Sequence, residues 1–125
     1  NIATALRAKK GPGAIFLVSD AMATAGSEIT SFQLNGREVR RSGNQLKLAD
    51  GTLAGAHLEL SNAVRLLVQD CCDPLNSALA RVTRIPAQLA GIAGAGRLTI
   101  GDPANIVHLD GCLGLRTVWQ EGRRI

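Results

Sequence analysis

The chain has 125 residues, of which 46% are hydrophobic and 19% charged, and its formal net charge is +4. This is the composition of a folded protein with one modest core, and it excludes a disordered segment. With two phenylalanines, one tryptophan and no tyrosine, the core must come from Leu, Val, Ile and Ala, and the interleaved aromatic and basic side chains of a nucleic-acid surface are missing.

Residues 2–10 carry Ile2, Ala5 and Leu6 on one face and end in Lys9 and Lys10, which predicts the last turns of a helix stopped by Gly11-Pro12-Gly13. Ala14-Ile15-Phe16-Leu17-Val18 follows as a continuous apolar run. Such a run suits a strand covered on both faces, as in a parallel sheet. From Ser31 the pattern changes to alternation. Phe32 and Leu34 alternate with polar residues, Asn35-Gly36 is a strong hairpin signal, and Val39 lies on the return strand. Gly43-Asn44 offers a second turn before Leu46 and Leu48, so residues 31–50 read as an antiparallel meander. The arginines of this stretch, Arg37, Arg40 and Arg41, read with Arg123 and Arg124 as a solvated basic surface.

Leu60, Ala63, Val64, Leu67, Val68 and Cys71 then repeat at helical spacing, with Glu59, Asn62, Arg65 and Gln69 on the other face. Asp73-Pro74 predicts an N-cap followed by proline at the first helical position, opening a helix through Val82. Ile85-Pro86 begins a shorter one that ends near Gly91. Strand pattern returns at residues 105–109 and 116–120, the latter turning at Glu121-Gly122 into Arg123-Arg124-Ile125. The order of helix, buried strand, meander, helices and strands makes the fold class α/β.

Two stretches carry residues suited to chemistry. Asp20 follows the buried apolar run in Val18-Ser19-Asp20-Ala21, and a carboxylate at a strand end faces substrate in α/β barrels, although an aspartate after a strand also serves as an ordinary turn residue. In Asp50-Gly51-Thr52-Leu53-Ala54-Gly55-Ala56 two glycines permit close backbone approach to a ligand, and the stretch reads as a loop leading into a helix at about His57. Gly91-Ile92-Ala93-Gly94-Ala95-Gly96 follows a helix, which makes it a helix end and not a phosphate loop. His57 and His108 read as structural or surface residues. Cys71, Cys72 and Cys112 are odd in number and contain no CxxC pair, so buried free thiols in a reducing compartment are expected and no metal ligands are assigned. No signal peptide and no long apolar span is recognisable, which points to the cytoplasm and to no membrane partner. Because the chain begins at Asn1 and residues 2–8 read as the middle of a helix, the N-terminus is expected to be a cut.

At this point a family resemblance emerges. Leu17-Val18-Ser19-Asp20-Ala21 with Ala25-Gly26 resembles the last barrel strand of N-acetylglucosamine-6-phosphate deacetylases, members of the amidohydrolase superfamily. Gly51-Thr52-Leu53-Ala54-Gly55 resembles that family's glycine loop, and Ala63-Val64-Arg65-Leu66-Leu67-Val68 the helix after it. Ala80-Arg81-Val82-Thr83-Arg84-Ile85-Pro86-Ala87, Gly96-Arg97-Leu98, Gly101-Asp102-Pro103-Ala104-Asn105-Ile106-Val107 and Val118-Trp119-Gln120-Glu121-Gly122 resemble C-terminal segments shared across amidohydrolases. Ala56 stands where a serine is common, and Asn105 where many relatives carry aspartate.

The resemblance implies the C-terminal third of a (β/α)8 barrel enzyme with a small β-sandwich. On that pattern residues 1–30 hold the last barrel strand and its flanks, 31–50 the meander insertion, 51–95 the C-terminal barrel helices and 96–125 sandwich strands. It implies deacetylation of N-acetylglucosamine 6-phosphate to glucosamine 6-phosphate and acetate, with Asp20 as catalytic acid/base beside a metal-bound water and Leu53, Ala54 and Gly55 contacting the sugar. It also implies a divalent metal ion, zinc or similar, with ligands mostly outside this chain, a small-molecule amino-sugar phosphate as partner, and a homo-oligomeric parent, a dimer. The alternatives are another amidohydrolase, dihydroorotase-like or deaminase-like, and a noncatalytic fragment. These residues alone are expected to be inactive.

Overall fold

The structure, a computed structural model, describes residues 2–125; Asn1, the head of the first expected segment, lies outside the described residues. The chain forms two compact units, Ser19–Leu60 on one hand and residues 2–18 with Ser61–Ile125 on the other.

Within Ser19–Leu60 the predicted meander is present and longer than expected. Strands β1 (Ser31–Leu34), β2 (Arg37–Ser42), β3 (Gln45–Leu48) and β4 (Leu53–Ala56) form one antiparallel sheet in that order. Asn35 and Gly36 both take positive φ, 50° and 75°, as a two-residue hairpin turn requires when its twist is to match that of the strands. Facing residues in the register share one side of the sheet, so Phe32, Val39 and Leu48 stand in a row and Leu46 faces Gly55. Val39 and Leu46 are completely buried, each contributing about 1.5–3 kcal/mol of apolar burial. Residues 53–56, read from sequence as part of a loop, are thus the fourth strand. Gln45, Leu46 and Lys47 on β3 offer an open strand edge, and pairing to it satisfies the backbone groups that a loop would leave to solvent.

In the other unit, α1 (Ile2–Ala8), α2 (Leu60–Asp70), α3 (Leu75–Val82) and α4 (Arg84–Leu89) precede a second antiparallel sheet of β5 (Ile106–Leu109), β6 (Leu115–Gln120) and β7 (Arg123–Arg124). The helical spacing read in α2 corresponds to its buried face: Ala63, Val64 and Leu67 are inside. Val64 and Leu67 join Ala78 of α3 in the core, against which Leu6, Leu17, Val82 and Leu113 pack.

Two local expectations fail here. Asp73 does not cap α3: Pro74 takes the N-cap position without a side-chain cap bond, while the Asp73 carboxylate accepts from Arg81 Nε at 2.9 Å and Nη2 at 3.3 Å. A guanidinium fork is the stronger partner for a half-buried carboxylate than a backbone amide. The apolar run at residues 14–18 forms no strand among the described residues. It is held as an extended segment by Leu17 N–H donating to the Arg81 carbonyl at 3.0 Å and Arg81 Nη1 donating to the Ile15 carbonyl at 3.0 Å. Its side chains alternate: Ile15 and Leu17 are half-buried, whereas Phe16 and Val18 are exposed, Val18 by 70%. A parallel-type strand takes its ladder from neighbours on both edges, and no described strand lies beside this segment. The thiols are free, as expected, but Cys72 and Cys112 are exposed and only Cys71 is partly covered. No helix is long and apolar enough to cross a membrane among the described residues.

Candidate active site

Asp20 sits in a left-handed turn with φ of 50°, a conformation that aspartate tolerates better than most residues and that costs of order 1 kcal/mol. The turn is braced by Ser19, whose Oγ accepts the Ala21 N–H at 3.2 Å. The Asp20 side chain is exposed. Its backbone carbonyl accepts the Ala56 N–H at 2.9 Å, and Met22 N–H donates to the Ala56 carbonyl at 3.3 Å. These two bonds make an isolated parallel bridge between Ala21 and Ala56. The aspartate turn is therefore fastened to β4, the strand that carries Leu53, Ala54 and Gly55.

The three sugar-contact candidates occupy different environments on that strand. Leu53 is 62% exposed, Ala54 is half-buried and Gly55 is buried. Pairing passes from Leu46–Gly55 to Lys47–Leu53, so Ala54 is an extra residue in a β-bulge. Bulges re-aim side chains and are common beside active sites. The turn leading into β4 is closed by Asp50, which accepts the Thr52 N–H at 2.9 Å and pairs with Arg37 at 3.0 Å. The Thr52 hydrogen bond, helped by Arg37, holds the Asp50 carboxyl below the usual carboxylate range.

The histidines take no part in a cluster. His57 is half-buried, with its Nδ1 buried and unpaired among the described residues; exposed His108 lies 6.4 Å from Trp119, ring centre to ring centre. No group of three or more His, Cys, Asp and Glu side chains suited to a metal ion is gathered among the described residues. The described residues do not by themselves make a metal site. Met22, missed by sequence reading, fills the space in front of Gly55: a Cβ built at Gly55 would lie 2.6 Å from Met22 Sδ. Its only sequence signal is a methionine two residues after Asp20.

No protein-family model matches the chain. The N-acetylgalactosamine-6-phosphate deacetylase of Shewanella sp. (strain ANA-3) is 34% identical over 90% of this chain. The chain spans 29% of that relative's length. Among solved structures, the N-acetylglucosamine-6-phosphate deacetylase of Pasteurella multocida superposes with a TM-score of 0.84 at 27% identity, over 88% of this chain and 29% of that one. The chain is similar to N-acetylglucosamine- and N-acetylgalactosamine-6-phosphate deacetylases. It matches the Mycobacterium smegmatis deacetylase, solved as a mutant in complex with N-acetyl-D-glucosamine-6-phosphate, with a TM-score of 0.78 and 27% identity over 87% of this chain and 30% of that one. The bridge that ties the Asp20 turn to β4 joins the two segments whose residues had carried the deacetylase resemblance.

Proposed function

We propose that the protein to which these residues belong hydrolyses the acetamide of an N-acetylhexosamine 6-phosphate, giving acetate and the free amino sugar phosphate, with N-acetylglucosamine 6-phosphate as substrate. The observation that carries the reading is the Ala56-to-Asp20 hydrogen bond of 2.9 Å, which holds the Asp20 turn beside the strand of Leu53, Ala54 and Gly55. Asp20 is the acid/base. Its carboxylate has no hydrogen bond or ion pair to any described residue, so it is available to accept a proton from the attacking water and to return one to the departing amine. Leu53, Ala54 and Gly55 contact the sugar, and the bulge at Ala54 turns backbone groups of β4 out of the ladder for that purpose.

Residues 1–30 are read as the part that supplies the last strand of a (β/α)8 barrel, residues 14–19 becoming that strand only beside its neighbours in the whole protein, and residues 31–50 as its meander insertion. Residues 51–95 are read as holding the final barrel helices, and residues 96–125 as sandwich strands. The divalent ion implied by the family would draw its ligands from outside this chain. The cytoplasm and a homodimeric parent complete the proposal. A second reading, N-acetylgalactosamine 6-phosphate as substrate, is favoured by the 34% identity to the Shewanella enzyme. Acetate release by the full-length protein from each of the two sugar phosphates separates them. Release from the glucosamine derivative at the higher kcat/KM is expected; preference for the galactosamine derivative selects the second reading, and release from neither overturns both.

A further inference from the structure

The bridge between the Asp20 turn and β4 is short: one residue pair and two hydrogen bonds, of 2.9 and 3.3 Å. So small a ladder leaves the separation of the two segments to be set by side-chain packing, and Met22 is placed to set it. Met22 lies two residues beyond Asp20, and its Cγ and Sδ stand 2.8 and 2.6 Å from the place a Cβ on Gly55 would occupy. The Asp20 carbonyl is 3.1 Å from the same point. Gly55 is buried and faces the completely buried Leu46 across the sheet. The thioether therefore enters a notch that exists only because residue 55 has no side chain, and methionine is well suited to fill an irregular notch of this kind.

We propose that Met22 is a positioning residue for the deacetylation. Seated in the Gly55 notch, it sets the distance between the carboxylate turn at Asp20 and the sugar-contact strand Leu53–Ala56. The proposal rests on the roles given above to Asp20 and β4. A side chain that touches neither substrate nor the reacting atoms still governs rate when it sets where the acid/base stands, because displacement by about 1 Å costs up to roughly 100-fold. Gly55 and Met22 form a matched pair, so enlarging one and shrinking the other should compensate.

The test uses the full-length protein with Met22→Ala, Met22→Leu, Gly55→Ala and the double variant Gly55→Ala with Met22→Ala. The measurements are kcat and KM for acetate release and the hydrogen-exchange rate of the Ala56 amide. Met22→Ala is expected to lower kcat about 10- to 100-fold with a smaller change in KM, and to speed Ala56 exchange. Met22→Leu, which restores bulk, should recover most of the rate, and the double variant should outperform Gly55→Ala alone. Wild-type kcat and KM in Met22→Ala would overturn the proposal. So would a variant that loses only thermal stability, or a double variant no better than Gly55→Ala. If the wild-type protein releases no acetate from either sugar phosphate, the functional reading falls, while Ala56 exchange in the variants still decides whether Met22 holds the bridge.

Discussion

Asp20 illustrates how much one position can depend on its backbone. The carboxylate is exposed, yet its turn is in the left-handed region and its carbonyl is bonded to β4. Asp20→Asn keeps the shape, and asparagine tolerates the same φ, so the bridge to Ala56 should survive. What the amide loses is proton transfer. In the full-length protein this variant is expected to fold and to keep its substrate affinity while kcat falls roughly 10²–10⁴-fold. Kinetics beside a circular-dichroism melt check it, and near-normal turnover would remove Asp20 from the mechanism. Asp20 could be named as a candidate from the sequence because an aspartate closing an apolar run is a recognisable pattern. Met22 was not, because its role depends on the absence of a side chain 33 residues away (55 minus 22).

At the scale of elements, two polar links hold pieces of secondary structure in place. Arg81 on α3 bonds the Asp73 carboxylate and the Ile15 carbonyl, with side chains only 18% and 9% exposed in the Arg81–Asp73 pair. Removing one member of a largely buried pair strands the other, at about 3–5 kcal/mol. Arg81→Met should therefore destabilise the protein by roughly that amount and speed exchange at the Leu17 amide. Adding Asp73→Asn should restore part of the stability. Denaturant melts of the three proteins give the answer, and an Arg81→Met loss under about 1 kcal/mol would demote the pair to an ordinary surface ion pair.

The β5–β6 connection is organised by Asp110, whose Oδ1 accepts the Cys112 and Gly114 N–H groups at 2.9 and 2.8 Å and whose Oδ2 accepts Arg116 Nε at 2.9 Å. Arg116 is the bulge residue of β6, opposite no partner on β5. The Gly114 and Cys112 hydrogen bonds, then Arg116, hold the Asp110 carboxyl below the usual range. A depressed carboxyl stabilises the fold above its unfolded pKa of about 3.9, and that contribution is lost as pH falls through the lower folded value. The Cys112 and Gly114 amide resonances should thus stay constant down to about pH 4 and move below it. Asp110→Asn should abolish that acid transition, and an unchanged titration in the variant would locate the effect elsewhere.

For the molecule as a whole, the exposed apolar residues matter most. Phe16, Val18, Leu98 and Ile100 are 37%, 70%, 82% and 105% exposed. Surface of this kind, together with an extended segment lacking ladder partners, favours association. The 125 residues by themselves are expected to elute larger than a monomer and to exchange rapidly at residues 14–18, apart from the bonded Leu17 amide. A monodisperse monomer with strong protection through that segment would count against this account. The same material is expected to hold no stoichiometric divalent metal and to release no acetate, since no three-ligand cluster is gathered among its described residues. Metal analysis with an acetate assay tests this, and turnover with bound metal would refute it.

The sequence by itself determined the elements whose signals are local. The Asn35-Gly36 turn, the apolar face of α2, the break before α4 and the β6–β7 turn depend on a few adjacent residues and on spacings of two or three to four. It also placed Asp20 and Leu53–Ala54–Gly55 together as candidates through their family resemblance. Tertiary structure alone decided what depended on a distant partner. Residues 53–56 became a strand because β3 offered an edge, and residues 14–18 did not because no described strand lies beside them. Asp73 left its predicted cap because Arg81, eight residues on, bonds it more strongly. Met22 acquired a place because Gly55 left it empty. Hydrogen-bond ladders, ion pairs and packing join residues far apart in the chain, and a local pattern holds no record of which partner each will meet.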